Sequence, residues 1–311
     1  MATIRIENEH LRLEVAPDSG ASVVGLEARV GDLWVPVLRE TPPQAVEERN
    51  TSLMACFLLA PWSNRIADAR FVFRGVNHQL RPNTPEGYAI HGDVRKRPWR
   101  TEAVSPAEAS FIFDSRDFPD ARAGGTAAEP VNFPFPFACR LVYALEDSTL
   151  VVSATLSSHA REPMPAGLGF HPYYRRTLLD DTEQVEIEAR VARVYEELVP
   201  TRPAVPVPPE LDFSRKRPLG DRDLDVCFAG WDGRATISWP RSGVRASVRC
   251  EPPLDHLILF APPGKPFFAL EPVSHSNNGF NLAALGDPDS GVRVLGPGDQ
   301  LRAVFRLTIE S

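Results

Sequence analysis

The run FFALEPV, residues 267–273, is apolar except for a carboxylate at Glu271, and the polar stretch SHSNN follows it at once. An ionised carboxylate taken out of water is costly unless something nearby pairs with it. On a shielded face, desolvation would raise its proton affinity toward the range in which a general base works best at neutral pH; on a wet face it is an ordinary edge charge. His171, in PAGLGFHPYY, has little backbone freedom: Pro172 biases it toward extended backbone, and Gly167 and Gly169 thin the chain just before it. A packed structural ring is the other reading of that histidine.

Further polar groups appear where a plain β scaffold has no need of them. Asn64 and Arg65 follow the apolar MACFLLAPW, so Arg65 is either half of a surface ion pair or a planar donor fork aimed at ligand oxygens. His91 ends an apolar patch in GYAIHGDVRKRPW, and Gly92 after it lets the backbone pass close to a neighbour. With Asp93 and the later His171 it also matches the short H-x-D…H pattern of a two-histidine, one-carboxylate iron site. Asp225 stands among Leu224, Val226 and Phe228 as a turn residue or a buried carboxylate. The chain has no G-x-S-x-G elbow and no glycine-rich phosphate loop.

The elements that hold these residues read as strands. TIRIENEHLRLEVA, FVFRGVNHQL, SFIFDS, RLVYAL, TLVVSATLSS, EIEARVARVY, RATISW, VRASVRC, HLILFA and RAVFRLTIE alternate apolar and polar residues with period two. Turn signals at 74–75, 146–148 and 231–233 separate several of them. The pattern predicts an all-β protein, a large antiparallel β-sandwich with minor helix. Alternation puts Phe267, Ala269 and Glu271 on one face of their strand and Phe268, Leu270 and Pro272 on the other. Two irregular stretches, 117–138 and 199–213, are expected to be surface loops of one domain spanning 1–311.

Composition narrows the function classes. The chain has 311 residues, 41 acids against 34 bases and a formal net charge of -7, without a basic stripe interleaved with aromatics, so a nucleic-acid partner is not expected. No window approaches the roughly 20 apolar residues of a membrane span, and the charged N-terminus lacks the apolar stretch of a signal peptide. Cys56, Cys139, Cys227 and Cys250 are scattered with no C-x-x-C pair, which predicts reduced, buried thiols in a cytoplasmic protein.

In this order, PWSNRIADARFVFRGVNHQL, IHGDVRKRPW, PAGLGFHPYY, LDVCFAGWDG and PPGKPFFALEPVSHSNNGFN resemble the aldose 1-epimerase (mutarotase) family, and the HPY and EPVSH elements resemble a bacterial branch of it. The resemblance implies a galactose mutarotase-like β-sandwich with a monosaccharide bound on one concave sheet and no metal or cofactor. It implies that His171 is the general acid toward the ring oxygen and Glu271 the general base toward the anomeric hydroxyl. Arg65, His91, Asp225 and, beside Arg65, Asn64 would bind and orient the sugar. Val226 and the segment SNNG at 276–279 depart from the family's pattern, which bears on sugar preference rather than on the acid–base pair. Ser274 to Asn278 are expected at the rim of the cleft. VRKRPW, 94–99, is the basic run placed to serve a phosphorylated sugar; a sandwich that binds sugar without catalysis is the remaining alternative. The chain is expected to act as a monomer or homodimer.

Overall fold

The computed structural model describes residues 2–118 and 129–311. Ten of the irregular residues at 117–138 therefore lie outside the described residues. Alternating strands dominate because their side chains split cleanly between core and solvent: Gln300–Glu310 buries Leu301, Ala303, Phe305, Leu307 and Ile309 and leaves their neighbours outward. Laid side by side, such strands make two large antiparallel sheets.

The outer sheet has nine strands, in the order Arg100–Val104, Glu108–Asp114, Phe137–Glu146, Thr149–Ser158, Gln300–Glu310, Val244–Cys250, Arg234–Trp239, Glu186–Ala189 and Arg217–Pro218. The inner sheet runs Val205–Pro206, Arg193–Tyr195, Leu224–Ala229, His256–Ala261, Phe267–Val273, Gly169–Phe170 and Leu58–Leu59, with Tyr173–Arg175 also paired to Phe267–Val273. A four-stranded N-terminal sheet, Ile4–Glu7, Leu11–Ala16, Ser22–Val30 and Leu33–Pro36, joins the same core. Phe170 of the inner sheet meets Phe305 of the outer at 5.7 Å between ring centroids, an aromatic contact that ties the two layers.

The inner strands are buried on both faces, which is why their sequences read as nearly continuous apolar runs. Phe268 and Leu270 point into the core between the sheets, whereas Ala269 and Phe267 pack with Phe57 and Tyr173 on the other side. The predicted facing of this strand holds, and Glu271 belongs to the second layer.

Several segment readings need correction. TIRIENEHLRLEVA is a hairpin rather than one strand, and EIEARVARVY breaks after Ala189, so that Glu186–Ala189 joins the outer sheet and Arg193–Tyr195 the inner. The stretch 199–213 contains the short strand Val205–Pro206 and a 3-10 turn at Pro209–Leu211. Among the described residues there are two short α-helices, Pro43–Glu47 and Gly279–Ala284, and none is long and apolar enough to cross a membrane. All four cysteines are free thiols, but Cys250 is only half-buried, since it ends its strand next to the Glu251 turn.

Two loops converge at the inner sheet's edge. Gly92 bridges Ala60 in parallel, Asp93 N–H donates to the Ala60 carbonyl at 3.1 Å, and His91 N–H donates to the Asn64 carbonyl at 2.9 Å. Gly92 has φ +65°, and a Cβ there would lie 1.9 Å from the Ala60 oxygen. The left-handed backbone alone costs a side-chain-bearing residue about 1–2 kcal/mol, and the clash adds to it. Gly92→Ala is expected to lower the unfolding free energy from denaturant titration by more than that backbone cost; an unchanged unfolding free energy would show that the loops are not pinned here.

Candidate active site

His171 and Glu271 meet because of strand register. Gly169 pairs with Val273 and Tyr173 with Ala269, so the His171–Pro172 step between those pairs lies across from Glu271. His171 N–H donates to the Phe57 carbonyl at 3.0 Å, and Tyr173 N–H donates to Ala55 at 2.9 Å, which fixes the step on its other side. Nε2 of His171 then stands 3.2 Å from Oε1 of Glu271, with the two residues 3% and 1% exposed. Both are shielded from bulk water while touching each other.

A second polar pair faces them. Register carries a row across four strands, Asp225 beside Phe260, Phe260 beside Ala269, and Ala269 beside Tyr173. Asp225 Oδ2 accepts from the Arg65 guanidinium at 3.0 Å, and the other end of that guanidinium donates to Asn64 Oδ1 at 2.9 Å. Asn64 and His91 both hold left-handed backbone, with φ of 48° and 67°. Asparagine tolerates that region better than most residues, and strain of this kind gathers at sites whose surroundings over-determine it.

All six candidates read from the sequence, Asn64, Arg65, His91, His171, Asp225 and Glu271, line one cavity of about 100 Å³ that opens to solvent. Tyr173 and Phe260 complete its wall and were missed. Tyr173 had a signal, since it lies two residues past His171 and thus on the same side of extended chain. Its hydroxyl is 3.4 Å from His171 Nε2 and its ring stacks on the imidazole at 4.4 Å. Phe260 had none, because only the pairing of its strand brings it beside Asp225.

Burial dominates the electrostatics. It pushes the Glu271 carboxyl well above the usual carboxylate range, helped by the charge of Asp225 and opposed by Arg65. It pushes the His171 imidazole well below its usual range, with the Arg39 and Arg95 guanidinium groups adding to the effect. His91 is lowered in the same way, by burial first and then by His171 and Arg95. Asp225 is raised by burial, against the pull of Arg65. The net direction for the touching pair is a protonated carboxyl against a neutral imidazole, one proton held between two groups. Glu271 Oε2, His171 Nδ1 and His91 Nδ1 are buried with no hydrogen-bond partner among the described residues. Unpaired buried polar atoms in one cavity are what a hydroxyl-rich ligand would satisfy.

The segment after Glu271 is not the rim. Ser274, His275, Ser276, Asn277 and Asn278 are all at most 4% exposed and work from behind. His275 Nε2 accepts from Ser63 N–H at 2.9 Å, while its Nδ1 faces the Ser276 carbonyl at 2.8 Å. Gly167 leaves room for that ring, since a Cβ would sit 2.0 Å from it. Asn278 N–H donates to the Arg65 carbonyl at 2.7 Å, and its side-chain oxygen accepts from Ala67 N–H. These residues hold the Ser63–Arg65 turn in place.

Two sequence alternatives lose their geometry. The iron pattern needs Asp93 beside His91, but the Asp93 carboxylate is engaged by Arg97 at 2.7 Å and by Asn132 N–H at 2.8 Å. No group of three potential ligands is placed to hold a metal among the described residues. The basic run VRKRPW does not reach the cavity: Arg95 turns to Thr51 and Ser52, and Arg97 to Asp93.

Comparison with known proteins agrees with this architecture. The family model for aldose 1-epimerase matches residues 2–308. Uncharacterized protein YphB of Escherichia coli K12 is 26% identical over 324 residues, covering 100% of this chain and 99% of its own. A galactose mutarotase-like protein of Clostridium acetobutylicum has a TM-score of 0.83 at 18% identity, covering 99% of this chain and 95% of that one. The GalM/aldose epimerase homologue of C. elegans has a TM-score of 0.79 at 18% identity, with 99% and 98% covered. Those two likenesses establish the galactose mutarotase-like fold, and the match across nearly every residue places this chain in the aldose 1-epimerase family.

Proposed function

We propose that this protein is a mutarotase that interconverts the α and β anomers of an unphosphorylated aldohexose such as glucose or galactose. The observation that carries the reading is the buried His171–Glu271 contact at 3.2 Å in the wall of a small polar cavity. Opening a hexose ring moves one proton off the C1 hydroxyl and one onto the ring oxygen. Glu271, as carboxylate, takes the hydroxyl proton while the C1=O bond forms and the bond from C1 to the ring oxygen breaks. His171, as imidazolium, gives its proton to that oxygen. Rotation about C1–C2 presents the other aldehyde face, and the two groups then run in reverse.

The proton count supports this assignment. An ionised glutamate with an imidazolium, and a protonated glutamate with a neutral imidazole, hold the same single proton and the same net charge. The second arrangement is the one burial favours, and it is also the state that ring opening leaves behind. Glu271 Oε2, which has no partner among the described residues, is the acceptor available to the anomeric hydroxyl. Asp225 and Arg65 offer an acceptor and charged donors to other sugar hydroxyls, and Phe260 gives an apolar surface to ring carbons. A phosphate would need a spare cation in the cavity, where the arginine present, Arg65, already pairs with Asp225.

Three outcomes test the reading. Glu271→Gln and, separately, His171→Asn are expected to lower the polarimetric mutarotation rate of fresh α-D-glucose or α-D-galactose by at least about 10²-fold each, with the fold intact by circular dichroism. Near-wild-type rates in either would reject the acid–base assignment, and a wild-type protein that binds sugar without speeding equilibration would be a binding module instead.

Asp225→Ala removes a charged hydrogen-bond partner outside the reacting atoms. It is expected to raise KM by roughly 10- to 100-fold and to change kcat much less; the opposite split would make Asp225 part of the chemistry.

The pH profile follows from the shared proton. Activity falls at low pH when the pair takes up a second proton on His171, and that imidazole is held below its usual range by burial. It falls at high pH when the pair loses its last proton, and Glu271 is held above the carboxylate range. kcat/KM is therefore expected to be level through neutral pH, with its acid limb below the ordinary histidine value of about 6.5. An acid limb centred on that ordinary value would contradict the buried pair.

A further inference from the structure

His171 lies between two aromatic rings, and each ring carries a buried arginine. Tyr173 stacks on the imidazole at 4.4 Å and 28°, and Phe57 packs on it at 4.7 Å and 37°. The Arg39 guanidinium carbon lies 3.4 Å from the centre of the Tyr173 ring. Imidazole and guanidinium cannot share one face of that ring at such distances without overlapping, so Arg39 occupies the face away from His171. The Arg95 guanidinium carbon lies 5.0 Å from the centre of Phe57.

Neither cation has the partner that buried cations ordinarily have. Arg39 is 9% exposed and Arg95 5%, and among the described residues neither forms an ion pair. Arg39 donates through Nε and a terminal nitrogen to the Met54 carbonyl and through that nitrogen to the Ser52 carbonyl, at 2.9, 2.6 and 2.6 Å. Arg95 donates to the hydroxyls of Ser52 at 3.1 Å and Thr51 at 3.4 Å, and its Nε has no partner among the described residues. One short segment, Thr51 to Met54, thus grips both guanidinium groups with neutral oxygens and supplies no counter-charge. A buried charge kept without a counter-charge is expensive to maintain, so a use for the field is called for.

We propose that Arg39 and Arg95, acting through the rings that clamp His171, are positioning residues for proton transfer at that imidazole. The proposal rests on the acid role given to His171 above. The ring oxygen of a sugar is a weak base, so its proton donor must release readily. Two positive charges near the imidazole make its protonated form less stable, and the rings they brace hold its plane. The other titratable or charged groups around His171 are Glu271 from the facing strand Phe267–Val273, Tyr173, His91, Cys56, and the Arg65–Asp225 pair across the cavity. Glu271 pulls the opposite way, which keeps the proton between the two groups instead of losing it to solvent. Burial first, and then the charges of Arg39 and Arg95, hold His171 below its usual range, consistent with this geometry.

The test is the titration of the His171 imidazole by 15N NMR, assigned by its loss in His171→Asn, in wild type, Arg39→Gln, Arg95→Gln, Arg39→Lys and Arg95→Lys. Removing one charge is expected to raise the His171 midpoint by roughly one and a half pH units, as Coulomb's law gives for unit charges about 8 Å apart at an effective dielectric of about 20. The acid limb of kcat/KM should move up with it, and each lysine variant should stay near wild type. Glutamine variants that leave the midpoint in place, or lysine variants that shift it as far as glutamine does, would overturn the proposal. A wild-type midpoint at the ordinary histidine value would overturn it even if no glutamine variant folds. Because NMR reads the imidazole without substrate, an inactive wild type with shifted variants would sink the mutarotase reading and leave the action of the arginines standing.

Discussion

The burial of a carboxylate in the inner sheet is the constraint around which this molecule is arranged. Glu271 cannot sit 1% exposed as an unpaired charge, and at 3.2 Å from His171 it does not have to, because one proton makes the two groups jointly neutral. The neutrality is conditional. It holds only while the imidazole stays within reach, so everything that fixes His171 also stabilises Glu271: the Phe57 carbonyl on its backbone, the rings on its faces, and the register of Gly169 and Tyr173 on either side.

The opposing wall is held by different means. Arg65 sits on a short strand after a left-handed Asn64, and such a turn would wander if nothing tied it down. The polar segment after Glu271 supplies the ties through His275 to Ser63 and Asn278 to the Arg65 and Ala67 backbone. The strand that delivers the candidate base thus continues into the brace for the candidate sugar-binding arginine. Both walls of the cavity are referred to one stretch of chain, which keeps their separation constant.

Much of the fold could be read from alternation, because exposed-face strands such as Gln300–Glu310 announce their period directly. The reading failed where tertiary context cut across local pattern. EIEARVARVY alternates without a break, yet the chain changes sheets inside it, a decision made by neighbours rather than by its own residues. At the site, the oddness of Glu271 and the stiffness of His171 were visible one residue at a time, while their contact across a separation of 100 positions was not. Asn278 was misplaced at the rim for a related reason. Polar composition suggested water, whereas those side chains spend their hydrogen bonds on backbone groups that would otherwise be orphaned inside the protein.

The two-sided strand Phe267–Val273 carries a consequence for how this protein can diverge. Its odd positions face the second layer, where Glu271 lines the cavity, and Phe268 and Leu270 face the core between the sheets, so a slip by a single residue would send Leu270 or Pro272 to the cavity wall and Glu271 into hydrocarbon. Insertions and deletions are closed to this segment, and gradual adjustment is too. Variation in what the cavity accepts is channelled into its irregular borders, the turns around Asn64 and His91 and the edge near Asp225. A lineage could acquire a taste for a new sugar there, one border at a time, while the strand that holds the carboxylate stays still.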